Sequence, residues 1–92
     1  MRTYTIPEVA ELFGVQRQTV YNWTMQGIIE RLPEGVDGVK KTVAFFDADI
    51  IDEMKALGFT AGYRKGKMHF QRARRNVQIR RKAEREQNNE NI

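Results

Sequence analysis

The sequence predicts a mainly α-helical fold with one small β-hairpin, followed by a basic helical extension. Three observations carry that expectation. Short apolar runs at helical spacing end on Gly14, Gly27 and Gly58. A β-branched and aromatic run, Lys40 to Phe46, lies across a cluster of turn formers from Ile28 and Ile29. From Lys67 to Gln87 the chain has no Gly or Pro and is rich in Arg, Lys, Gln, Ala and Glu, all good helix formers.

Thr5-Ile6-Pro7-Glu8 opens the first element. Thr5 is a capping residue, Glu8 stands three residues on as in a capping box, and Pro7 suits a first turn whose amides lack partners. Ile6, Val9, Ala10 and Phe13 recur at helical spacing beside Leu12, so a helix is expected from about Ile6 to Phe13, left through Gly14 with φ > 0. A second helix from about Arg17 to Met25 puts Val20 and Trp23 on one face and Arg17, Gln18 and Tyr21 on the other. Gly27 ends it, and Ile28-Ile29 is a short strand candidate.

The strand expected over Lys40 to Phe46 pairs with Ile28-Ile29 in a hairpin tipped by Pro33 to Gly38. Asp47 caps a third helix whose apolar stripe is Ile50, Ile51, Met54 and Leu57, with Gly58 closing it. Thr60 to Gly66 is a glycine-punctuated basic linker. In the extension Phe70, Ala73 and Val77 share a face for two turns before Arg80, Arg81 and Glu84 continue it, with Ile79 off that face. That is too little for a coiled-coil seam. The division is therefore residues 1–58 as a domain, 59–66 as a basic linker and 67–92 as a helical extension with a frayed end.

Ninety-two residues allow one small core plus an appendage. No apolar run approaches the ~18 residues of a membrane span, and the N-terminus lacks the apolar stretch of a secretory signal. With no cysteine and a single histidine, disulfides, thiol catalysis and clustered Cys/His metal sites are excluded. A cytoplasmic, non-enzymatic protein with no cofactor, no membrane association and no small-molecule effector is expected. There is no serine and no phosphate-binding glycine loop. His69 reads as an ordinary surface residue, and Asp47, Asp49, Asp52 and Glu53 as the cap and outward face of one helix.

The charge is segregated. Residues 1–57 carry six basic against nine acidic residues and residues 58–92 carry ten against three, so a net −3 precedes a net +7. A basic end of this kind points to a polyanion, nucleic acid or an anionic membrane surface, with a solvated tail as the plain alternative.

A short helix, a tight Gly-Val turn and a second helix with a polar outer face make a helix-turn-helix, whose second helix can enter the major groove. Two short helices at a steep angle are also simply an economical way to build a core. Thr5 to Val15, then Thr19-Val20-Tyr21-Asn22-Trp23, Gly27-Ile28-Ile29 and Phe46-Asp47-Ala48-Asp49-Ile50-Ile51 together resemble the DNA-binding domain of the MerR superfamily and its small excisionase branch. The resemblance covers residues 4 to about 58 and implies a winged helix-turn-helix bound to double-stranded DNA. It implies that Arg17, Gln18 and Tyr21 face the major groove.

Their chemistry agrees with that placement. Arg pairs bidentately with guanine or phosphate, Gln with adenine, and Tyr offers a hydroxyl to phosphate and a ring to a thymine methyl. Gln16 reads better as a substitute helix cap than as a base contact, and the resemblance puts Thr19 at a family position near the backbone and core. Tyr21 also fits a half-buried ring against the wing. The wing departs from the family: Val43-Ala44-Phe45 stands where many members carry arginine, and the positive charge comes earlier, as Lys40 and Lys41. These neighbours point to opposite faces of a strand, which favours phosphate contact by one of them over base reading.

For the basic end three readings stand side by side. Arg64, Lys65 and Lys67 can track a DNA backbone while Arg72, Arg74, Arg75, Arg80, Arg81 and Lys82 form a helix on it. Alternatively, the helix packs back, or pairs with a second copy, through Phe70, Ala73 and Val77. The third is an idle tail. The expected role is a small transcriptional regulator; the same chemistry fits an excisionase-type or plasmid or phage segregation protein assembling on repeated sites, with self-association on tandem copies. The competitors from other classes are an Arg-rich RNA-binding protein and a protein-adaptor module.

Overall fold

The computed structural model of the chain describes residues 1–33, 43–59 and 63–90, apart from the side chains at 63–65 and 88–90. Strand β1 (Thr3–Thr5) leads into helix α1 (Ile6–Phe13) and helix α2 (Arg17–Met25). Strand β2 (Phe45–Asp47), helix α3 (Ala48–Ala56) and a long helix α4 (Tyr63–Glu90) follow. The fold is mainly helical with a two-stranded antiparallel sheet, the class expected from the sequence.

Local chemistry sets the helix ends. The Glu8 carboxylate accepts from the Thr5 amide at 3.1 Å and from the Thr5 hydroxyl at 3.0 Å, tying the strand end to the first turn of α1. Gly14 takes φ +66°, and the Val15 amide donates back to the Ala10 carbonyl at 2.9 Å, so the chain turns sharply between α1 and α2. Gly27 at φ +74° does the same after α2, with the Ile28 amide on the Trp23 carbonyl at 2.9 Å. The Asp47 carboxylate caps α3 by accepting from the Asp49 amide at 3.1 Å.

The strands are not those expected. β2 pairs with β1, Thr3 opposite Asp47, Tyr4 opposite Phe46 and Thr5 opposite Phe45. Ile28 and Ile29 are not a strand; each is 1% exposed, and both belong to the core. One hydrogen bond, Leu32 amide to Phe45 carbonyl at 2.7 Å, still joins the two limbs. The physical reason is burial on all sides: an apolar pair beside the helix turn gains more by filling the core than by aligning one edge with a strand. Residues 34–42, which hold all but Pro33 of the expected tip and the first three residues of the strand expected over Lys40 to Phe46, lie outside the described residues.

The core joins every helix. Val9, Ala10, Val20, Trp23, Ile28, Ile29, Phe46, Ile51, Met54, Phe70 and Ala73 form one buried cluster. Trp23 meets Phe13 at 5.8 Å and Phe59 at 4.9 Å between ring centroids, and Phe13 meets Phe59 at 5.3 Å, all edge to face. Phe59, expected to begin a linker, is thus the third member of an aromatic triangle.

The extension is also built differently from expectation. α4 starts at Tyr63, inside the segment read as linker, and packs along α3. Gly66, Phe70, Ala73 and Val77 are buried at four-three-four spacing. Of the three readings of the basic end, packing back is the one this face adopts, and it leaves Phe70, Ala73 and Val77 covered within one chain. Gly66, taken for a linker punctuation, marks a close approach: a Cβ there would lie 2.7 Å from Ile28 Cγ2 and 2.9 Å from Phe59 Cε2.

Past Val77 the same face becomes ionic. Arg81 donates to Asp47 at 3.0 Å and to Asp49 at 3.0 Å, and Arg80 pairs with Glu53 at 2.9 Å. From the other side Arg2 reaches Asp49 at 3.0 Å and Asp52 at 2.6 Å, and the Tyr4 hydroxyl donates to Asp52 at 2.7 Å. The carboxylates of α3, read as an outward solvated face, are therefore clasped between the N-terminus and α4. His69, read as a surface residue, is partly buried, its ring edge to face with Phe59 at 6.3 Å.

Two expected outcomes follow from this packing. Gly66→Ala gains helix propensity of about 1 kcal/mol but forces a methyl against buried Ile28. Overpacking of this kind costs about 1–3 kcal/mol, so urea unfolding should show a net loss of stability; a gain would contradict the close approach. Hydrogen bonds from the guanidinium of Arg2, and then of Arg81, hold the Asp49 carboxyl below its usual range. A depressed native pKa contributes stability that is complete above the unfolded value, about 4, and is lost as pH falls through the native one. The melting temperature should fall as the pH is lowered below about 5, and Asp49→Asn should show a smaller fall.

Candidate nucleic-acid interface

Helix α2 is amphipathic for a simple reason: nine residues supply only two deep anchors, Val20 at 0% and Trp23 at 5% exposure. With those held, helical geometry turns Arg17, Gln18, Tyr21, Asn22 and Met25 to the opposite side. All five are exposed, Tyr21 at 47% and Met25 at 69%. Tyr21 borders a groove that Ile29, Arg31 and Ala44 also line, and the wing residues 34–42 that the half-buried alternative invokes lie outside the described residues. No acidic residue occurs in α2, so the positive end of the helix dipole and Arg17 act together at its N-terminus.

The remaining expected residues fall into distinct places. Gln16 occupies the N-cap position in backbone terms, but its side chain is exposed and makes no capping bond. Thr19 is half-buried at the edge of the α2 anchor face. Lys40 and Lys41 lie outside the described residues. Arg64 and Lys65 belong to the first turn of α4 by backbone, their side chains being outside the description. Lys67, Arg72 and Arg75 are exposed on α4; Arg74, also exposed, lies 3.6 Å from Glu30.

The structure sorts the cations of α4 into two sets. Arg80 and Arg81, considered from the sequence as groups for DNA, are committed to the carboxylates of α3. Arg72, Arg75 and Lys82 lie on the side away from Phe70, Ala73 and Val77, next to exposed Met68 and Ile79. Among the described residues these three make no ion pair.

Sequence reasoning passed over Asn22. Its Oδ1 accepts from Gln18 Nε2 at 3.1 Å, an i,i+4 pair on the exposed face of α2. The spacing was visible in the chain; the bond needed the helix.

Among the described residues no helix is long and apolar enough to cross a membrane. A search of curated proteins finds no match, and neither does a search of solved structures. A family model described as the helix-turn-helix domain matches residues 3–50, just over half of the chain. The match runs from β1 into the start of α3 and contains the whole of α1, its glycine turn and α2. With α1, Gly14 and α2 arranged as that motif requires and the polar side of α2 open, the chain belongs to the helix-turn-helix domain family.

Proposed function

We propose that the chain binds double-stranded DNA at specific sequences, with α2 in the major groove, as a MerR-like, non-catalytic transcriptional regulator of the cytoplasm. One observation carries the reading. The side of α2 that bears Arg17, Gln18 and Tyr21 is open, while the opposite side is anchored by Val20 and Trp23. A helix so held presents donors, acceptors and an aromatic ring to base edges without reorganising its domain.

Phosphate neutralisation supports this contact from α4. A single small reader binds weakly, and much of protein–DNA affinity comes from counterion release. Arg72, Arg75 and Lys82 are exposed and clear of the ion pairs that occupy Arg80 and Arg81, so they are available to serve. The apolar face of α4 is covered inside the chain, which favours separate copies side by side on directly repeated sites over a dimer joined through that face.

Selection from random duplexes with the purified chain tests the reading and reports the orientation and spacing of the sites. Arg17→Ala or Gln18→Ala should cost about 1–3 kcal/mol on the selected site and much less on unrelated duplex. Preference for structured RNA, indifferent to both changes, would overturn it. Against salt, Arg72→Ala with Arg75→Ala should make the slope of log K shallower by about 2 and weaken all duplexes alike. An unchanged slope would remove α4 from the interface.

A further inference from the structure

We propose that Met25 is a further specificity-determining residue, one that selects a C5-methyl group in the major groove, which in unmodified DNA means thymine. This rests on α2 lying in that groove. Met25 is the last residue of α2 and is 69% exposed. At about 100° per residue it lies about 140° from Val20 and about 160° from Trp23, on the row opposite the two buried anchors. Gln18, seven residues earlier, shares that row, and Arg17, Tyr21 and Asn22 flank it. The centre of the open face therefore carries one amide and one thioether. Nine residues make a helix about 13.5 Å long, close to the major groove's width of about 12 Å. A helix lying along the groove floor keeps its last turn there as well as its first.

The chemistry of the side chain decides what it can meet. A thioether donates no hydrogen bond and accepts only weakly. Facing N7 and O6 of guanine, N7 and N6 of adenine or N4 of cytosine, it would cover polar atoms without replacing the water they lose. Thymine adds an apolar group to its edge, the C5 methyl, and contact there takes two apolar surfaces out of water at once. An unbranched chain with three rotatable bonds adapts to so small a target. Tyr21 stands one turn before Met25 on the same open side, a spacing that makes them neighbours on the helix surface. Its ring extends the apolar strip.

The groove that Tyr21 and Met25 line with Ile29 and Ala44 offers a competing use for the same side chain, as packing within this chain. The two uses differ in what they predict for DNA.

The test starts from the duplex selected by the full chain, with each thymine replaced in turn by deoxyuridine, which lacks only the methyl group. At one position wild-type binding should weaken about fourfold, the worth of one buried methyl group at about 0.8 kcal/mol. Met25→Ala should bind both duplexes alike there, and Met25→Leu should keep the discrimination. With cytosine opposite guanine at that position, adding a 5-methyl group should raise wild-type affinity and leave Met25→Ala unmoved. Circular dichroism and melting check that each variant is folded. A scan with no sensitive thymine, or one that Met25→Ala leaves as it is in the wild type, overturns the methyl reading. So does a variant whose only change is a lower melting temperature. Sequence-specific binding then still stands if Arg17→Ala and Gln18→Ala alter the selected motif. Selection that enriches no duplex motif overturns both readings.

Discussion

The open face of α2 depends on how Trp23 is held from behind. α2 has nine residues and two deep anchors, too few to set its own angle. Trp23 is gripped edge to face between Phe13 of α1 and Phe59, which follows α3. Rings in this geometry add about 0.5–1.5 kcal/mol per pair beyond their area burial. The three rings come from three separate stretches of chain.

Phe59 is held in turn by α4. Gly66 admits its ring and Ile28 to contact distance, and Phe70 and Ala73 close the same core. The basic end is therefore a structural partner of the motif, although the helix-turn-helix match stops at residue 50. A motif of two short helices buries little surface alone, and a long helix laid across α3 adds the apolar area that a domain of this size otherwise lacks.

The charge segregation along the chain takes on a different meaning in three dimensions. The acidic excess of the front half is concentrated on α3, where Arg2, Arg80 and Arg81 neutralise it. Asp47 is 6% exposed and both caps α3 and receives the Arg81 fork, so its charge is paired where solvent is scarce. The carboxylates at and after the α3 cap are held in ion pairs, Asp47 and Glu53 largely covered and Asp49 and Asp52 still half exposed, and the unpaired arginines of α4 look outward.

What the sequence by itself determined is the local grammar. The Thr5–Glu8 box, Gly14, Gly27, Gly58 and the Asp47 cap bound α1, α2 and α3 because capping and left-handed turns involve neighbours a few residues apart. The polar side of α2 was legible for the same reason, since Val20 and Trp23 are three residues apart on one helix. Only the tertiary structure decided the pairing of β2 with β1, the burial of Ile28 and Ile29, the aromatic role of Phe59 and the docking of α4. Each joins residues far apart in the chain, and a glycine such as Gly66 reads alike whether it loosens a linker or admits a neighbour. The division of arginines between those clasping α3 and those facing solvent was likewise decided there, because a positive charge carries no mark of its partner until the fold brings a carboxylate beside it.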